Sequence, residues 1–198
     1  MTRVLVGGIG YRNLRDHSFG VVLIDALTAA VWPGHVSVED LSYNPIALVQ
    51  RLQDDVADAR FGLVVVAGVL QRAGRAPGTL DVYRWDQVLP SNDAIHEAVT
   101  EAVTGIISLD NSLIVARHFG ALPATVVVLE LEPEAHEFGD ELTPQVASAL
   151  TRARAIITEL VSAPEAAFSI PERSLGDGRV RHTGVVFEQV RHGATRIS

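Results

Sequence analysis

The stretch that most constrains this chain is "FGLVVVAGVL", Phe61 to Leu70. Ten residues are too few to cross a bilayer as a helix, and the run of valines favours a strand. A strand apolar on both faces must lie inside a sheet that is covered on both sides. Other segments repeat the theme. "VLV", Val4 to Val6, runs into glycines and reads as a second buried strand. "HVSVEDL" and "TLDVYRW" alternate as strands do, and "ATVVVLELEP" is a last core strand.

Helical patterns stand between them. Phe19, Val22, Leu23, Ala26, Leu27 and Ala30 share one helix face, closed by Pro33-Gly34. Asn44 caps a second helix with Pro45 in its first turn and Ile46, Val49, Leu52 and Val56 as its stripe. From Ser91 to Gly120 the pattern is helical and broken near Gly105. Ser91 or Asn92 caps the first piece; Leu113, Val115, Ala116 and Phe119 line the second. "LTPQVASALTRARAIITELV" is the final helix, with Thr143 as cap and Pro144 at its first position.

The order β-α-β-α-β-β-α-β-α predicts a three-layer α/β/α sandwich. Its sheet is five-stranded, twisted and mostly parallel, with "FGLVVVAG" at the centre. A single α/β domain over 1–163 and a C-terminal extension over 164–198 is the simplest division. Periodicity dissolves in the extension, where only "RVRHTGVVFEQV" suggests a late strand or hairpin. Its Val185-Val186-Phe187 run suits a packed arm, laid on this body or on a second copy of the chain as a homo-oligomer contact.

A net charge of −8 argues against a nucleic-acid surface. The absence of cysteine excludes disulfides and thiolate chemistry, and fits a cytoplasmic protein. Neither a secretion signal nor an apolar run of membrane length is expected. Walker lysine, G-x-S-x-G and H-E-x-x-H motifs are absent.

Open parallel sheets bind ligands beyond the carboxyl ends of their strands. The turn after Val6, the segment after Asp40 and the turn after Ala67 therefore frame the expected site. The first runs "GGIGYRNLRDHSFG". Its glycines suit a phosphate cradle, but Asn13 follows where a dinucleotide fingerprint needs glycine. Asp16 suits a helix cap or a metal ligand, and His17 a ligand or a solvated loop residue. Asp40 suits a ligand or the start of a turn.

Four segments, in order, carry a resemblance: "VGGIGYRNLRDHSFGV", "GLVVVAGVLQRAGRAPGTLDVY", "ARHFGALPATVVVLELEPE" and "GDELTPQVASAL". Together they resemble the hydrogenase maturation endopeptidases, which trim the C-terminal tail of the [NiFe]-hydrogenase large subunit. The resemblance covers about Val4 to Val161 and implies a phosphorylase/hydrolase-like fold. It implies no intrinsic cofactor; the metal is nickel presented by the partner, a hydrogenase large subunit or accessory protein. Three places in the family engage that nickel: the second of an acidic pair, an aspartate ending the central strand, and a histidine opening the fourth helical segment. Aligned without gaps, they hold His17, Gly68 and Gly105, two of them without side chains.

Candidate metal-engaging residues are thus Asp16, His17, Asp40 and His96, the last from "DAIHEAV" as a displaced substitute for Gly105. His35, His118 and His136 show no partner at a telling spacing, and His182 and His192 lie in the extension. Loss of two ligand places weighs against proteolysis and towards a divergent, non-catalytic binding or accessory protein. A small-molecule-binding α/β domain that has kept only the scaffold is the further alternative.

Overall fold

The computed structural model describes residues 1–54 and 60–175. Its strands are β1 (Val4–Ile9), β2 (Val36–Asp40), β3 (Leu63–Val69), β4 (Leu80–Trp85), β5 (Thr125–Leu131) and β6 (Glu172–Arg173). Its helices are α1 (Phe19–Thr28), α2 (Pro45–Gln53), α3 (Asn92–Thr104), α4 (Leu109–His118) and α5 (Pro144–Ser162). The strand order is β2-β1-β3-β5-β4-β6. β2, β1, β3 and β5 are mutually parallel, and β4 runs antiparallel to β5. The sheet has six strands rather than five because β6 adds a short edge beside β4. β3 is central, and Val64, Val65 and Val66 are buried on both its faces.

Alternation along the strands sorts the core into two layers. Val4, Val6, Leu63, Val65, Val127 and Leu129 meet α1 and α5 on one face. Leu5, Val64, Val66, Val126 and Val128 meet α2, α3 and α4 on the other. α1 lies close on β1 because two glycines face each other. A Cβ on Gly8 would stand 2.1 Å from the Gly20 carbonyl oxygen, and one on Gly20 would stand 2.4 Å from that of Ile9. These glycines are spacers for helix–strand contact.

Capping follows chemistry legible in the sequence, with exceptions. Asn44, Ser91 and Ser108 accept hydrogen bonds from Ile46, Ala94 and Asn111 amides. Thr143 sits at the N-cap of α5 but its side chain makes no cap bond. Phe119, expected in the α4 core, is the C-cap and is half exposed. Residues 164–175 are packed: Ala167 and Leu175 are buried, and β6 pairs with β4. Val56, His182, His192, the Val185–Phe187 run and the rest of "RVRHTGVVFEQV" lie outside the described residues. Among the described residues no single helix is long and apolar enough to cross a membrane.

Candidate functional site

The carboxyl ends of β1, β3 and β5 open onto a mouth built from three loops. The first, between β1 and α1, contains a 3-10 turn over Arg15–Ser18. Asn13 and Arg15 hold positive φ of 61° and 37°, which L-residues adopt only when the surroundings fix them. The loop between β5 and α5 does so. Arg15 N–H donates to the Gly139 carbonyl at 2.9 Å, and Gly139 N–H to that of Asn13 at 3.0 Å.

Asp16 sits in the middle of this seam and is fully buried. One oxygen accepts from the Glu134 and Ala135 amides, each at 2.9 Å, and from the Thr143 hydroxyl at 3.0 Å. The other accepts from the Thr143 amide at 2.8 Å. Burial pushes the Asp16 carboxyl up, but these bonds reverse the effect and hold it below the usual aspartate value. Asp16 therefore fastens two loops; it does not cap its own turn.

His17 points to the same lip. Its Nε2 lies 2.8 Å from Nδ1 of His136, on the second loop. Arg15 draws Glu137 alongside, at 3.3 Å. His136 has no signal in the sequence, since its partner is 119 residues away. Asp40 ends β2, where it accepts from the Ser42 amide at 2.9 Å and from Arg12 at 3.3 Å. His96 is exposed on α3. Among the described residues no three His, Asp or Glu side chains form a metal-holding group.

The two glycine places differ in kind. Gly68 is the penultimate residue of β3, on the α4 side. A Cβ there would stand 3.0 Å from the Ile9 carbonyl oxygen and 3.3 Å from the Leu109 Cβ. A side chain there would have to push the first residue of α4 aside by a few tenths of an ångström. Gly105 opens no helix: at φ 85° it is the C-cap of α3. The fourth helix opens at Leu109, with Ser108 as N-cap and Asp110 in its first turn. The place matched to Gly105 thus lies at the end of α3, before α4 begins at Leu109. Asp110, Asn111 and Ser112 are buried there, Asp110 accepting from the Ser108 hydroxyl at 2.5 Å and Asn111 donating to Glu101 at 3.1 Å.

Tyr11 spans the mouth. Its hydroxyl accepts from the Ile107 amide at 2.7 Å, joining the first loop to the one before α4. Tyr11, Ile106 and Phe138, one from each loop, are exposed apolar side chains at this end.

Beside the mouth, "QRAGRAPG" is more than a polar turn. Arg72 and Arg75 fold inward onto Glu130 and Glu132 of β5. Tyr83 donates to Glu130 at 2.7 Å, and Arg75 and Arg173 both reach Asp81. Burial pushes the Glu130 carboxyl up; the Arg72 and Tyr83 hydrogen bonds and the Arg72 and Arg75 charges bring it below its ordinary value. Burial beside Glu130 raises the Tyr83 hydroxyl. The signal was the pair of glutamates inside "VVVLELEP": carboxylates in a buried strand require cations.

This architecture is that of the hydrogenase maturation endopeptidases. An endopeptidase from Escherichia coli superposes with a TM-score of 0.62 at 21% identity, covering 86% of this chain and 96% of that one. Hydrogenase 2 maturation peptidase from a Thaumarchaeota archaeon gives 0.58 at 23%, covering 81% and 99%. The hydrogenase maturating endopeptidase HybD from E. coli gives 0.57 at 23%, covering 82% and 94%. No family model matches the sequence, and no curated protein matches it.

Proposed function

We propose that this chain acts in [NiFe]-hydrogenase maturation by engaging a hydrogenase large subunit, in the cytoplasm, without cleaving it. The fold shared with hydrogenase maturation endopeptidases supports the partner. One observation supports the loss of cleavage: the central strand carries Gly68, with no side chain, and a Cβ there would press on the Ile9 carbonyl oxygen at 3.0 Å and on Leu109 at 3.3 Å. The metal in this reading is the partner's nickel, and the chain supplies no cofactor. Tyr11, Ile106 and Phe138 offer an apolar rim, around which a partner's surface can close.

The test is incubation with a nickel-loaded, tail-bearing large subunit, followed by size-exclusion chromatography and intact-mass measurement. The expected result is co-elution with the subunit's mass unchanged. Loss of the tail overturns the non-cleaving part. Absence of a complex at micromolar concentrations overturns the partner.

A further inference from the structure

We infer that His17 and His136 form a metal site belonging to this chain, a two-imidazole chelate for a divalent late transition metal such as Ni²⁺, Cu²⁺ or Zn²⁺. The facing nitrogens, Nε2 of His17 and Nδ1 of His136, are 2.8 Å apart. Two nitrogens bound to one cation at about 2.0–2.1 Å, and at right angles, stand about 2.9 Å apart. A cation can therefore replace the shared proton without the nitrogens moving apart, each ring turning its lone pair by up to about 45° towards the common metal position. Their planes are tilted by 49°, with centroids 5.1 Å apart, so they are not stacked face to face.

The backbone holds this geometry in place before any metal arrives. Asp16 precedes His17 directly, and the same carboxylate accepts from the amide of Ala135, which precedes His136. One buried group thus positions both ligands, although they are 119 residues apart. The site stands at the lip, with His136 exposed, so ions reach it from solvent. Glu137, beside it, is already paired with Arg15, and the chain's net charge of −8 favours cations generally. Two protein ligands leave several coordination positions for water or for donors from a docked molecule, which sets the affinity below that of a closed structural site. Imidazole at these two positions restricts the choice to metals that accept nitrogen, and disfavours Mg²⁺ and Ca²⁺.

The experiment uses the full chain, without an affinity tag and stripped with chelator. Ni²⁺ is titrated calorimetrically, and Cu²⁺ is added for electron paramagnetic resonance. One equivalent should bind, and the Cu²⁺ spectrum should show coupling to two nitrogens. His17→Gln and His136→Gln should each weaken Ni²⁺ by about tenfold or more, as loss of one ligand of two demands. The double variant His182→Gln/His192→Gln should match wild type. Circular dichroism verifies that each variant is folded. Binding that survives His136→Gln, disappears in the His182/His192 variant, or is absent from wild type overturns the assignment. No hydrogenase is present, so failure here leaves the partner reading standing.

Discussion

Thr143 gives both its amide and its hydroxyl to Asp16, at 2.8 and 3.0 Å, and so ties the start of the last helix to the first loop of the chain. Asp16→Asn keeps the size but turns an amino group towards donors. It should cost about 2–3 kcal/mol in urea unfolding, the range for buried hydrogen bonds to a charged acceptor. The sign with pH follows from the lowered carboxyl. Asp16 contributes fully above the unfolded value of about 3.9, and its contribution is lost as pH falls through the lower folded value. The gap between wild type and Asp16→Asn should therefore close in acid. A gap that widens there would mean that Asp16 is protonated in the fold.

Glu130→Gln should be more damaging. It leaves Arg72 and Arg75 with less negative charge in a site closed to water. Breaking a buried ion pair from one side costs about 3–5 kcal/mol. The loss should appear as a lower urea midpoint. An unchanged midpoint would show that the neighbouring Glu132 and Asp81 neutralise both arginines unaided.

Rebuilding the family's places as the gapless alignment suggests should fail. Gly105→His forces a left-handed backbone on histidine, at about 1–2 kcal/mol. It also puts the imidazole at the end of α3 instead of the start of α4. Gly68→Asp drives a Cβ towards Leu109. The double variant should gain no nickel affinity by calorimetry, and Gly68→Asp alone should lower the urea midpoint. Tight nickel binding by the double variant would restore Gly105 to the site.

Tyr11→Phe removes the acceptor for the Ile107 amide. A bond of this kind contributes about 1 kcal/mol. Hydrogen exchange at Ile107 should speed by about fivefold, with exchange in β3 unaffected. Equal exchange at Ile107 in both proteins would show that the tyrosine does not latch the mouth.

The layers of the fold were legible because burial on both faces leaves a plain mark, as in Val64–Val66, and because caps such as Asn44-Pro45 act locally. The site was less so. Arg72 and Arg75 look like turn residues until Glu130 is known to face them across the sheet. Gly105 carries a readable sign, a glycine just past a helical pattern, but matching by count alone passed over it. His136 carries none, because its meaning depends on a contact that only the closed fold creates. Asp16 was visible as a carboxylate near a helix start, yet its partners belong to a loop more than a hundred residues downstream.

That separation has a consequence for how the chain acquires its shape. The Asp16 carboxylate meets its first loop partner, the Glu134 amide, only 118 residues later, and Thr143 only 127 residues later. Contacts so distant in sequence carry the largest loop-closure cost and form late. During synthesis β1, β2 and β3 can pair while the first loop is still untethered, its strained Asn13 and Arg15 free to relax. The mouth is therefore the last part of the domain to be set. A chain interrupted just after β5 carries most of its sheet but no organised lip, and so cannot compete with finished molecules for whatever docks there.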